Sequence, residues 1–260
     1  MTTNYETRLK SLTEAGARSR PGLNETFHDS CEHRCLSAEK QNAWANFLSS
    51  IATTESIETM LIEPIRKAFG SSMATLDYLD AHGDDERRHH QLLTSYVKRT
   101  FGFEKKHRSG TDLVVYGFLL PHFSRLGRYK PLYLLTPLRF YEAFSLEFYK
   151  VLKILAQADG LPRLVALIQS IEKDELRHLA GLDTLVHKYR ENTGTPSRAD
   201  LMLIRSVLNL LLFDINIAPW AVHNRKVRRN ALTIGIDPAK MGHDARGAAD
   251  DAFRFAGGRK

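Results

Sequence analysis

The sequence predicts an all-α fold, a four-helix bundle of two antiparallel hairpins joined by a long crossover, with a fifth helix on the C-terminal side. Three observations predict it. Long stretches with helically spaced apolar residues alternate with short breakers rich in Gly, Pro and Ser. The string Asp-Glu-x-Arg-His occurs twice, at Asp85–His89 and Asp174–His178, once in each prospective hairpin. The two copies stand 89 residues apart, as in an internal repeat.

Residues 1–36 mix charge, Pro21, Gly22 and two cysteines without clear periodicity, and read as an N-terminal arm. Ser37 reads as the N-cap of a first helix that runs to Phe69, where Gly70-Ser71-Ser72 breaks the pattern. A second helix runs from Met73 to Arg99 and gives way to a polar, basic connector, Gly102 to Gly110. Residues 111–135 are apolar but interrupted by Pro121, Gly127 and Pro131, which predicts a crossover with short helical pieces. Thr136-Pro137 reads as an N-cap followed by proline at the first helical position, opening a third helix to Ala158. Asp159 to Pro162 is a turn, and a fourth helix follows to Glu191. After Asn192–Ser197 a fifth helix runs from Arg198 to His223 or beyond. The bundle thus occupies 37–224, and the basic, Gly-rich stretch 225–260 reads as a loose tail or cap.

Composition narrows the class. With 43% hydrophobic and 26% charged residues over 260 positions, the chain has globular rather than disordered composition, and one large domain is expected. The apolar runs Leu113–Leu120 and Leu210–Phe213 are too short to span a bilayer, and the N-terminus lacks a signal-peptide segment, so a cytoplasmic protein is expected. Two cysteines, Cys31 and Cys35, exclude a disulfide framework. Their Cys-Glu-His-Arg-Cys context, with His28 and His33 nearby, lacks the companion ligands of a zinc site and reads as two incidental thiols. A net charge of +7 favours an acidic partner. Arg225, Lys226, Arg228 and Arg229 concentrate that charge without the aromatic interleaving of a nucleic-acid module.

The repeated string carries the chemistry. Residues three apart on a helix share a face, so Glu86 with His89, and Glu175 with His178, can each grip a metal ion. A di-metal bundle needs one Glu-x-x-His from each of two helices and one Glu from each of the other two. In an antiparallel hairpin, residues at equal depth lie equally far from the turn, which locates the remaining carboxylates. Glu142 and Glu175 are centred between Ala158 and Asp159, and Glu55 and Glu86 between Gly70 and Ser71, both at predicted turns. The expected ligands are therefore Glu55, Glu86, His89, Glu142, Glu175 and His178. Glu58 is the substitute for Glu55 if the first hairpin turns later, and His82, one turn before Glu86, is a candidate extra ligand. Asp85 and Asp174 are expected to accept the free ring N–H of a ligand histidine, and Arg88 and Arg177 to neutralise those aspartates.

On these residues the sequence resembles the ferritin-like di-iron carboxylate superfamily. Its strings DERRH and DELRH are most similar to the oxygen-activating branch, the acyl-carrier-protein desaturases and the hydroxylase components of bacterial multicomponent monooxygenases. The resemblance covers roughly 53–99 and 137–191. It implies two iron ions, with manganese or a mixed Mn/Fe pair compatible with the same ligands, and an enzyme that activates O₂ to hydroxylate, desaturate or N-oxygenate an organic substrate. In that branch a hydroxyl often follows the third-helix glutamate by one turn, a position held here by Ser145. His82 is similar to an added histidine of certain di-iron N-oxygenases. Where ribonucleotide reductase small subunits place a radical tyrosine, this chain has His90 and Leu93, which implies no stable radical there. No flavin, haem or iron–sulfur motif is visible, so electrons are expected from an external reductase or ferredoxin, or from the substrate itself. The substrate could ride on an acidic carrier, a homodimer is compatible, and Phe140, Phe144, Phe148, Leu179, Leu182, Leu211 and Phe213 are expected to line an apolar cavity. The alternatives are a rubrerythrin- or ferritin-like peroxidase or ferroxidase, and a non-catalytic helical bundle that binds a partner.

Overall fold

Among the residues described the architecture is helical and no strand occurs. The computed structural model describes residues 2–19, 32–69, 72–103, 122, 125–127, 130–216 and 222–258, with side chains throughout except at 2–4, 19, 213–216 and 222–227. Pro21, Gly22, His28, Cys31, Gly70, Ser71, the crossover residues 111–121, and the side chains of Phe213, His223, Arg225 and Lys226 lie outside the described set.

The helices are α1 (Thr2–Ser19), α2 (Ala38–Ala68), α3 (Met73–Phe101), α4 (Leu132–Ala158), α5 (Pro162–Thr193), α6 (Arg198–Asn216), α7 (Val222–Ile234) and α8 (Pro238–Phe255), with a 3₁₀ turn at Glu32–Cys35. Helix α2 opens as expected, Ser37 accepting a hydrogen bond from the Lys40 amide at 3.2 Å. Helix α3 ends on Gly102 with φ +63°, the left-handed conformation that glycine adopts without cost. Helices α2 and α3 pair as one hairpin and α4 and α5 as the other, and α3 meets α5 and α2 meets α4 across the bundle. Trp44 Nε1 (2.8 Å) and Lys40 Nζ (2.5 Å) both donate to the Asp159 carboxylate, tying the start of α2 to the α4–α5 turn.

Three sequence expectations need correction. Thr136-Pro137 does not open the third helix, because α4 begins at Leu132 and Pro137 lies inside it. The proline sacrifices one backbone bond in the second turn, and burial of Leu132, Leu134, Leu135 and Leu138 outweighs that loss. The N-terminal arm contains α1, which packs on α3 and α5 through buried Leu9 and the half-buried Tyr5 and Leu12. The stretch read as a fifth helix running on into a loose tail or cap is α6, α7 and α8; α7 lies on α2, and α8 lies on α4 and α6. No described helix is long and apolar enough to cross a membrane.

The core is layered along the bundle axis. One apolar cluster gathers Leu61, Ile65, Leu79, Leu135, Phe140, Leu182 and Leu185, and a second gathers Trp44, Leu48, Leu93, Tyr149, Leu152, Leu164 and Ile168. On each of the four bundle helices the buried acids and histidines fall between the two. Apolar plugs on both sides thus exclude water from a charged middle layer. Tyr78 roofs that layer, and its ring fits only because residue 181 is glycine: a Cβ there would lie 2.0 Å from Tyr78 Cζ. Gly181→Ala is expected to cost about 1–3 kcal/mol by overpacking, read as a lower urea midpoint; an unchanged midpoint contradicts this packing.

Candidate metal centre

Two groups of ligand-type side chains meet in the middle layer, and within each the ligand atoms lie within 4.8 Å of one another. The first is Glu55, Glu86, His89 and Glu175, and the second is His82, Glu86, Glu142 and His178; all are buried. Every one of the six residues expected from spacing falls in one of these groups. Glu58 falls in neither, although it is buried one turn beyond Glu55. The first hairpin therefore presents Glu55, not Glu58, level with the repeated motif.

Helix geometry explains the convergence. Glu86 and His89 share a face of α3, Glu175 and His178 share a face of α5, and the antiparallel partners bring Glu55 and Glu142 to the same depth. His89 Nδ1 stands 3.4 Å from Glu55, 3.7 Å from Glu86 and 3.3 Å from Glu175. His178 Nδ1 stands 2.9 Å from Glu86, 3.6 Å from Glu142 and 3.8 Å from Glu175. Glu86 turns Oε1 toward His178 and Oε2 toward His89, while Glu175 turns Oε1 toward His89 and Oε2 toward His178. Each of these two carboxylates thus spans both groups.

Both oxygens of Glu86, Glu142 Oε2, Glu175 Oε1 and the Nδ1 atoms of His89 and His178 are buried without a hydrogen-bond partner among the described residues. Such atoms cost roughly 1–3 kcal/mol each unless something satisfies them. They converge on two points, in a carboxylate–imidazole donor set suited to first-row divalent metals. The residues present therefore fit a pair of metal ions.

The outer faces of the two histidines meet the opposite motif. His89 Nε2 is 3.2 Å from Asp174, and His178 Nε2 is 3.5 Å from Asp85. Arg88 binds Asp174, and Arg177 binds Asp85 and also Asp174, the latter at 2.6 Å. Asp174 thus hydrogen-bonds the histidine of the other copy, whereas Asp85 lies in ion-pair range of His178 Nε2 without a hydrogen bond. Helix α1 closes over this network at Gly16, where a Cβ would come within 2.8 Å of the Arg177 guanidinium carbon.

Three contacts were not read from the sequence. Tyr149, two turns beyond Glu142, donates its buried hydroxyl to Glu55 Oε1. Tyr78, one turn before His82, donates to the His178 carbonyl at 2.8 Å. Their helical spacing from Glu142 and His82 was the available signal. Gly16 and α1 were the third. Ser145 is half-buried one turn beyond Glu142 and makes no hydrogen bond among the described residues. Phe140, Phe144 and Phe148 do not line the centre. Phe140 and Phe144 lie two residues either side of Glu142, about 200° around the helix, and the three rings form a row, Phe144 stacking on both others. Leu182 belongs to an apolar plug, with half-buried Leu211 packed against it.

Burial pushes the Glu55 carboxyl up to about 8 and, with Glu142 adding repulsion, Glu175 to about 8. Burial likewise holds Glu58 well above the usual carboxylate range. Burial opposes the charge on Glu86 too, but contacts from His178, His82 and His89 outweigh it and hold this carboxyl well below that range. Burial thus favours the neutral form of Glu58, whose shape and charge Glu58→Gln copies. We expect this variant to keep its metal, whereas Glu55→Gln loses roughly one ion per chain; equal metal content in the two variants contradicts the assignment.

Protonation also sets a pH dependence for the metal-free protein. His89 and His178 are pulled up despite burial, by Asp174 and Glu175 for His89 and by Glu142 and Asp85 for His178. Glu55 and Glu175 hold protons that the unfolded chain releases, so their stabilisation is full below the unfolded value and lost as pH rises through about 8, and the raised histidines act in the same direction. Asp174, held down by His89 and Arg177 against burial, and His82, lowered to about 4 by burial, act oppositely and lose their contribution only on the acid side. The metal-free melting temperature is expected to fall by roughly 5 °C or more between pH 6.5 and 9, with a smaller change in the loaded protein. Thermal melts with chelator check this, and a flat or rising curve overturns it.

Comparison with protein-family models finds no match, and comparison with curated proteins finds none. Solved structures do match. An R2-like ligand-binding oxidase from Sulfolobus acidocaldarius superposes with a TM-score of 0.74 at 15% identity, over 96% of this chain and 89% of that one. An R2-like ligand-binding oxidase with an aerobically reconstituted Mn/Fe cofactor gives 0.74 at 14% identity, over 95% and 92%. The chain has the ferritin-like fold. Within this ferritin-like bundle the two motif-bearing helices, α3 and α5, meet at its centre.

Proposed function

We propose that this protein is an O₂-activating oxidoreductase that holds two metal ions, iron or a Mn/Fe pair, and oxidises an organic substrate. The observation that carries the reading is the pair of buried ligand groups sharing Glu86, with crossed Asp–His pairs. Glu55, Glu86, His89 and Glu175 would hold one ion, and Glu86, Glu142 and His178 the other, with Glu175 reaching both. Asp174 directs Nδ1 of His89 inward by engaging its Nε2, and Asp85 faces His178 Nε2 at 3.5 Å. When bound, the metal pair supplies the electrons that reduce O₂ and the oxidising power used on the substrate. Tyr149 keeps Glu55 Oε1 occupied, which leaves Oε2 for metal. The apolar plugs exclude bulk water, and Ser145 contacts substrate beside Glu142. Electrons arrive from a separate reductase or ferredoxin. The fold similarity to two R2-like ligand-binding oxidases, one with a Mn/Fe cofactor, supports the class.

The test is metal analysis followed by turnover. Protein loaded with Fe(II), or with Mn(II) and Fe(II), should hold about two ions per chain and, once reduced, consume O₂ with oxidation of an added fatty acid or arylamine. Rapid consumption of H₂O₂ with no organic product would favour the peroxidase reading. Absence of bound metal would favour a partner-binding bundle.

A further inference from the structure

His82 has no counterpart in the repeat. The position 89 residues on is Ile171, buried in an apolar plug, so the duplicated plan does not call for a polar group here. Yet His82 is 1% exposed and sits between Tyr78 and the acids. Its Nε2 is 2.8 Å from Glu142 Oε1 and 3.4 Å from Glu86 Oε1, and its Nδ1 is 3.4 Å from the Tyr78 hydroxyl.

Two tautomers are open to this ring. The Tyr78 hydroxyl donates to the His178 carbonyl, so toward His82 Nδ1 the phenol oxygen offers lone pairs. With its proton on Nδ1, His82 leaves Nε2 free to ligate a cation beside Glu142 and Glu86; with its proton on Nε2 it donates to Glu142 Oε1 at 2.8 Å, a bond that a bound cation would replace. The His178 ring stacks on His82, with centroids 3.8 Å apart and planes 15° apart, and its Nδ1 approaches the same two oxygens at 2.9 and 3.6 Å. Two nearly parallel imidazoles thus aim nitrogen at one point.

We propose that His82 is a seventh metal ligand, so that the position shared with Glu86, Glu142 and His178 carries two imidazoles and the other carries one. This rests on the di-metal reading above and adds an asymmetry that the repeat lacks. Imidazole favours iron over manganese more than carboxylate does, so Fe(II) fills the two-imidazole position first. Tyr78 is a positioning residue, whose oxygen favours the Nδ1–H tautomer that ligation through Nε2 requires.

Anaerobic titration with Fe(II) alone tests this, together with the crystal structure of the Fe-loaded wild type. The wild type should bind in two resolved steps, with His82 Nε2 about 2.1 Å from iron. His82→Gln should weaken the tighter step by about 10–100-fold or more and leave the other unchanged, and Tyr78→Phe should weaken the same step by less. If His82→Gln does not fold, the Tyr78→Phe titration and the wild-type distance still decide. Two irons bound with Nε2 beyond bonding distance overturn the seventh ligand alone; no iron bound by the wild type overturns the di-metal reading with it.

Discussion

Stripping the metal is expected to lower the melting temperature by roughly 8–16 °C relative to protein held at about 1,000 times the dissociation constant. Glu55, Glu58, Glu86, Glu142, Glu175, His82, His89 and His178 are all nearly inaccessible to solvent. Without ions, several of their polar atoms have no partner, and burial forces protons onto Glu55 and Glu175. An ion satisfies those atoms and displaces the protons, and an ion that binds only the folded chain stabilises it by about 4 kcal/mol under these conditions. Glu175→Ala deletes a carboxylate that faces both groups, so bound metal should fall from about two ions to one or none. Equal melting temperatures with and without chelator, in protein shown to bind metal, sink the argument.

Asp174→Ala should be the most damaging change that replaces no expected ligand. The Asp174 carboxylate accepts from Arg88, from Arg177 and from His89 Nε2. Removing it leaves the nearly buried Arg88 guanidinium with only a 3.7 Å approach to Asp85, a loss of about 3–5 kcal/mol, and frees the His89 ring, which weakens metal binding about 10–100-fold. Asp84→Ala is the control, because its pair with Arg87 is exposed on both sides and should cost no more than about 1 kcal/mol. Urea melts and metal titration on both variants read the difference. Similar effects at the two positions would contradict a supporting role for Asp174.

The centre was legible because its determinants are periodic. Glu-x-x-His marks a helix face, and turn symmetry fixes depth when two long helices run antiparallel, which holds for α2 with α3 and α4 with α5. What escaped depends on how whole helices rotate and dock. Tyr149 and Tyr78 reach other helices by rotations that spacing alone does not determine. Helix α1 did carry a signal, since Tyr5, Leu9, Leu12 and Gly16 recur at intervals of four, three and four, but charge and the following Pro21 and Gly22 obscured it. Pro137 misled because local preference yields to the burial of the leucines around it. The aromatic row at 140, 144 and 148 was assigned to the wrong side because apolar character does not reveal which face a residue occupies.

The division of ligands between the hairpins also constrains how the protein is made. The first hairpin carries Glu55, Glu86 and His89, and the second carries Glu142, Glu175 and His178. The two carboxylates that span both groups come one from each, so a lone hairpin can offer a site to a single ion but cannot support a pair. During synthesis the first hairpin emerges long before its partner, with its acids still open to water. On the proposed assignment, capture of a second ion would wait until the last ligand-bearing helix has docked, and a two-ion state would be a chemical record that the chain has finished assembling.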